Sequence, residues 1–205
     1  WLSLISPVFR AIELIPGYRE FDISLWFLLF LSVFFGMLIG DAGYGIIYFT
    51  LAAYLKRRFG QRLKDKSPFY LAYLLSFSAF AWGVCTATFF GQQWLASAGI
   101  KPLVPALTDD TKVRSLCFLI GAIHLSIAHI WRITIQFPSP VFLADTGWIL
   151  ILWSAFFLAK FLILGVALPW FLMWLLVPGM LFVVLFSNPR KNIFKGAGAG
   201  LGTLA

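Results

Sequence analysis

The sequence predicts an all-α fold: a polytopic transmembrane helix bundle of about six spans, the first two short and joined at a glycine-rich break. Three observations carry that reading. Of 205 residues, 61% are hydrophobic and 12% charged, against about 45–50% and about 25% in soluble domains. Four segments are long and almost free of charge. The sixteen Lys+Arg and eight Asp+Glu, a formal net +8, gather in short clusters between apolar runs, the distribution of a multi-pass membrane protein. Mean hydropathy is +0.91. This composition excludes a disordered chain, a disulfide-stapled secreted domain and an ordinary cytosolic enzyme. The clustering of the cations between apolar runs points to a lipid bilayer, not to nucleic acid.

Taken in order, residues 1–22 mix Arg10, Glu13, Arg19, Glu20 and Asp22 with apolar residues, Pro7 and Pro16. They read as a juxtamembrane linker from a polar cytosolic domain, without the charged start and small-residue cleavage site of a signal peptide. Residues 23–187 read as the bundle. A helix crossing a hydrocarbon core of about 30 Å needs about 20 apolar residues. Segments 69–90, 115–135, 147–164 and 170–186 satisfy that, each bounded by Pro, Gly or charge. The run from Ile23 to Leu55 is too long for one straight span. Gly40-Asp41-Ala42-Gly43-Tyr44-Gly45 is a strong breaker inside it, so the run divides into short helices at 23–39 and 43–55. Residues 188–205, basic and then Gly-rich, read as a cytoplasmic connector to further helices of a longer chain.

Charge sets the expected sidedness. Lys56, Arg57, Arg58, Arg62, Lys64 and Lys66 form the strongest basic cluster and are expected on the cytoplasmic side. Six spans return Arg190, Lys191 and Lys195 to that same side. Trp26, Trp94, Trp148 and Trp170 fall near span ends, as in an interfacial aromatic belt. Cys85 and Cys117 lie inside apolar runs and read as inert packing.

Few residues could carry chemistry. Gly36 and Gly40 share one helical face, where a neighbouring helix can approach closely. Asp41 has two readings. Its carboxylate can cap the second helix near Gly43 or Tyr44, which the flanking glycines favour, or it can line an ion path, the default for an ionisable group at membrane depth. His124 and His129 lie about 140° apart around a helix, so they cannot share a metal. Either could line a proton path. Arg132 reads as a snorkelling side chain near the inner interface. Lys160 could reach the headgroups or pair with a carboxylate elsewhere. No nucleotide-phosphate loop, zinc-protease motif or nucleophile elbow is present in the sequence. Catalytic residues, metal ligands and cofactors are therefore not expected.

The stretch Phe34 to Gly45, FFGMLIGDAGYG, resembles the signature opening the membrane half of subunit I (subunit a) of V-type and A-type rotary ATPases. The approach Glu13 to Asp22 is similar to the segment before that family's first membrane helix. Trp82-Gly83, Phe89-Phe90-Gly91, Gly121-x-x-His124, Gly147-Trp148-Ile149 and Pro189-Arg190-Lys191-Asn192 agree in order with later patterns. The resemblance implies the static, non-catalytic half of an ion motor. Its membrane part abuts a ring of proteolipid (c/K) subunits and its cytosolic arm holds peripheral stalks of E/G type. Two half-channels then carry H⁺ or Na⁺. Gly36, Gly40, Asp41, Gly43, Tyr44 and Gly45 match the family motif. Asp41, His124, His129 and Lys160 would be at most rim or support groups. The family's essential arginine is expected after the Gly-rich stretch, and neither Arg132 nor Arg190 sits in its context. A prokaryotic plasma membrane fits the basic loops. Two other readings compete: a stand-alone carrier or channel with its site at the Gly40–Gly45 break, and a membrane-embedded enzyme using Asp41 and the two histidines.

Overall fold

The computed structural model describes residues 4–11, 24–92, 99 and 101–187. The linker from Glu13 to Asp22, Trp94 and the connector from Pro189 onward lie outside the described residues. Among those described there are seven α-helices: α1 Ser6–Ala11, α2 Ser24–Ile39, α3 Ala42–Phe59, α4 Ser67–Thr86, α5 Asp110–Gln136, α6 Phe142–Leu164 and α7 Leu172–Phe186. A 3₁₀ turn covers Pro105–Thr108. The chain divides into two compact units, Trp1–Asp110 and Thr111–Ala205. Helices α4, α5 and α6 are long and apolar enough to cross a membrane, and α2 and α7 are shorter apolar helices. The fold is all-helical.

In the first unit α4 is the common partner of α2 and α3. Helix α2 runs alongside α4 in the same direction: Leu28 clusters with Leu71, Gly36 lies against the Ser78 backbone and Gly40 against the Trp82 ring. Helix α3 runs the opposite way. Ala42 abuts Gly83, Gly45 abuts the Phe80 backbone, Phe49 meets Tyr73 with ring centroids 4.9 Å apart, and the Lys56 ammonium sits over Tyr70. The chain therefore reverses between α2 and α3. Gly40 makes the reversal, at φ +60° with its N–H donating to Gly36 O at 2.8 Å. A left-handed residue after the last helical turn is glycine's common place because a Cβ there is penalised.

Helix α1 closes the far end of this unit. Ile5 and Phe9 are buried with Leu28 and Leu71, and Phe9 meets Phe27 edge-on at 5.5 Å. At the start of α4, Asp65 accepts hydrogen bonds from the Ser67 amide at 2.9 Å and from the Ser67 hydroxyl. Pro68 follows in the first turn, where its missing N–H costs nothing.

Several helix ends differ from the hydropathy reading, among them Phe59 in place of Leu55 and Asp110 in place of Ser115, and two show why. Apolar character runs from Phe69 to Phe90, but α4 stops at Thr86 because Ala87 turns left-handed (φ +54°). Residues Phe89–Gln92 then form a tight reversal, Phe89 and Gln92 exchanging backbone bonds at 3.0 and 3.1 Å. Both central residues, Phe90 (φ +54°) and Gly91 (φ +69°), have the positive φ of a type I′ turn. Hydropathy reports burial of side chains and is blind to such a turn when its residues are aromatic.

In the second unit α6 and α7 pack antiparallel through facing glycines. Gly147 lies against Gly179 O, Gly179 against Gly147 O, and Val183 is fully buried beside them. Helix α6 begins at Phe142 and not at Gly147, so Phe142 to Asp145, outside the span expected from hydropathy, form its first turn. An acidic residue there complements the helix N-terminus. The helix ends at Gly165 (φ +66°), whose N–H donates back to Phe161 O at 3.1 Å.

Candidate functional site

The motif residues assemble a clamp in the first unit. Asp41 precedes α3 in extended conformation and its Oδ1 accepts the Tyr44 N–H at 3.0 Å, a helix N-cap. Its Oδ2 accepts the Gly91 N–H at 2.6 Å. One carboxylate thus ties the start of α3 to the reversal after α4, fifty residues away in sequence. It is 3% exposed. Charge-assisted bonds from backbone N–H groups offset the desolvation of a buried carboxylate. Beside it the Ala42 N–H donates to Thr88 O at 3.1 Å.

The glycines allow this proximity. A Cβ on Gly83 would lie 1.9 Å from Ala42 N, and one on Gly45 would lie 2.6 Å from Phe80 N, both immovable backbone atoms. The Phe90 ring fills the space above Gly43 and meets Tyr44 edge-on at 5.7 Å. A non-glycine residue at positive φ is strained. Here the ring packing and the Asp41–Gly91 bond hold Phe90 in place. Both oxygens of Asp41 are therefore committed to backbone donors.

A second polar cluster lies in the second unit. Asp145, 2% exposed, has its Oδ1 2.8 Å from His129 Nδ1 and accepts a hydrogen bond when that nitrogen carries the proton, and Arg132 Nε lies 3.5 Å from the same oxygen. His129 stacks on Trp148, rings 6.4 Å apart and 14° from parallel. Arg132 keeps 60% of its side chain exposed, so it reaches outward while touching the buried carboxylate.

The sequence singles out His129, leaves Asp145 between the spans 115–135 and 147–164, and puts Trp148 in an interfacial belt. The structure brings all three together. A signal was available: His129 and Arg132 are three apart, hence on one helical face, and face the first acidic residue across a short turn. His124 and Lys160 join neither cluster. His124 sits mid-α5 and points away from His129, and the Lys160 ammonium lies 5.5 Å from the Phe156 ring. Among the described residues no group of three or more His, Cys, Asp or Glu is placed to hold a metal. Cys85 and Cys117 are both free thiols.

Comparison with known proteins supplies the family. The chain is 37% identical over 175 residues, 80% of its length, to V-type ATP synthase subunit I of Borreliella burgdorferi. It is 32% identical over 165 residues, 74% of its length, to V-type ATP synthase subunit I 1 of Treponema pallidum. A shorter stretch of 45 residues, 22% of the chain, is 44% identical to A-type ATP synthase subunit I of Archaeoglobus fulgidus. The chain spans 28%, 26% and 7% of those three relatives' lengths. No family model matches the chain, and neither does any solved structure. With this similarity running along most of the chain, and with its long apolar helices, the protein is a membrane protein that belongs to the V-type/A-type ATP synthase subunit I family and spans about a quarter of its relatives' length.

Proposed function

We propose that this chain is membrane scaffold of the static, ion-conducting subunit of a rotary V/A-type ATPase, itself non-catalytic. The similarity to subunit I over 80% of the chain carries the reading. The composition of the helices supports it. Six crossings, at α2 through α7, would present apolar faces and few ionisable groups. Asp41 is consumed by backbone N–H groups and Asp145 by His129 and Arg132. Such helices buttress a polar path built elsewhere in the subunit. In this reading the proteolipid ring and the E/G-type stalks are the partners, H⁺ or Na⁺ is the cargo, the membrane is a prokaryotic plasma membrane, and the loop Lys56–Lys66 faces the cytoplasm. The motif Gly36 to Gly45 shapes the scaffold, and His124, His129 and Lys160 support it from the rim.

Affinity purification from native membranes tests the assignment. The expected result is co-elution with soluble nucleotide-binding subunits and a proteolipid ring. Elution alone, with ion transport by the isolated protein in liposomes, would instead establish the stand-alone carrier. Protease protection tests the sidedness: cleavage of the Lys56–Lys66 loop is expected from the cytoplasmic side, and cleavage from the outer side would invert the topology.

A further inference from the structure

The seam between α3 and α4 carries two cavities end to end. One, of about 490 Å³, is lined by Lys56, Arg57 and Lys66 together with Gln61 and Tyr73. The other, of about 230 Å³, is lined by Gly45, Ile46, Phe49, Ser76, Phe77 and Phe80, with a wholly apolar wall. They lie on one face. At 100° per residue, Gly45, Ile46, Phe49, Ala53, Lys56 and Arg57 fall within about 120° on α3, and Lys66, Tyr73, Ser76, Phe77 and Phe80 within about 100° on α4. Ile46 and Lys56 are ten residues apart, about 15 Å along the helix. A slot of hydrocarbon character thus ends in a basic cup at the charged end of the hairpin.

The cup is built to hold an anion. The Lys56 ammonium is half-buried and fixed between two rings, 4.4 Å from the Tyr70 centroid and 5.3 Å from that of Tyr73. Among the described residues no carboxylate lines the cup. Asp65, the acidic residue nearest in sequence, is held by Ser67 and pairs with Arg10 at 3.4 Å. Three cations around one cavity, with no carboxylate in its lining among the described residues, repel each other until an anion joins them. Basic pockets at the membrane surface take anionic headgroups for this reason.

We propose that the α3–α4 seam is a binding site for one anionic phospholipid. Lys56, Arg57 and Lys66 grip its phosphate, and an acyl chain lies along Ile46, Phe49, Phe77 and Phe80. The site depends on α3 and α4 being membrane helices and not on the rotary-motor assignment, so its failure would leave the co-elution test untouched.

Native mass spectrometry on the delipidated full-length subunit, or on its complex, tests the proposal with three probes: phosphatidylglycerol, phosphatidylcholine with the same acyl chains, and glycerol phosphate. The expected result is one saturable phosphatidylglycerol per chain, with the other two at least about ten-fold weaker. The paired change Lys56→Gln and Arg57→Gln is expected to weaken phosphatidylglycerol at least about ten-fold. Lys56→Arg should retain it. Arg62→Gln with Lys64→Gln removes equal charge outside the cup and should change binding less than two-fold. Equal weakening by both pairs would reduce the effect to diffuse surface attraction and overturn the site. Equal affinity for phosphatidylcholine would remove the anion requirement, and equal affinity for glycerol phosphate would remove the acyl slot; either result overturns the proposal.

Discussion

Asp41 and Asp145 are both almost wholly buried, each at the start of a helix, and their surroundings satisfy them in opposite ways. Asp41 binds two backbone amides, Tyr44 N and Gly91 N. Asp145 faces two side chains, His129 and Arg132. Backbone donors cannot rotate away or change charge, so Asp41 locks one geometry between α3 and the turn after α4. Side chains can rotate, so the Asp145 contacts depend on the rotamers of His129 and Arg132. The first region is a fixed joint and the second a polar contact set by side-chain rotamers. The glycines do not follow that division: they bring backbone against backbone in both units, at Gly83 and Ala42 in the first and at Gly147 and Gly179 in the second, whereas Gly121 on α5 has no atom within 4 Å of its would-be Cβ.

The largest expected effect probes the joint itself. Gly83→Val places a side chain into the Ala42 backbone and is expected to cost more than about 3 kcal/mol, read as lost membrane-integrated yield and a lowered unfolding temperature. Gly121→Ala serves as the control and should be neutral or slightly stabilising. Equal damage from both would show that the close approach at the corner is not limiting.

The two carboxylates can then be compared directly. Asp41→Ala orphans two buried N–H groups and is expected to cost about 3 kcal/mol, whereas Asp145→Ala releases the already exposed Arg132 to water and should cost about 1–2 kcal/mol. A double-mutant cycle sharpens the contrast. Asp145→Asn with His129→Gln should show a coupling of about 1–2 kcal/mol, and Asp41→Asn with His129→Gln none. Absence of coupling in the first pair would mean that the cluster is mere proximity.

The smallest effect belongs to Asp65. Hydrogen bonds from the Ser67 hydroxyl and amide, aided by the Arg10 charge, hold its carboxyl below the usual carboxylate range. A depressed folded-state pKa contributes stability that is present above the unfolded value, about 3.9, and lost as pH falls through the folded value. Wild type should therefore lose slightly more thermal stability than Asp65→Asn between about pH 5 and pH 3. The group is half-exposed and screened by solvent, so the difference should be small. Identical acid profiles would show that the bonds contribute nothing.

Much of the fold was legible because it is local. Asp41 as a cap, Gly40 as a reversal and the apolar character of each span depend on residues within about one helical turn. The end of α4 was not legible, since Phe89 and Phe90 read as more span while their backbone turns back. Nor was the Asp145 cluster, because its partners lie on a different helix and the acidic residue falls between two spans on hydropathy alone. The headgroup cup shows the same limit: its cations stand out in the sequence, but their convergence with Tyr70 and Tyr73 does not.

By itself the sequence determined the membrane class, the helical content and the place where the first apolar run breaks, since hydropathy, capping and glycine act over a few neighbours. Tertiary structure alone decided that α2 and α3 share α4 as their partner, that one carboxylate spans fifty residues to Gly91, and that another gathers a histidine and an arginine. Those outcomes rest on which surfaces exclude each other's atoms at close range, and chain order carries no record of that.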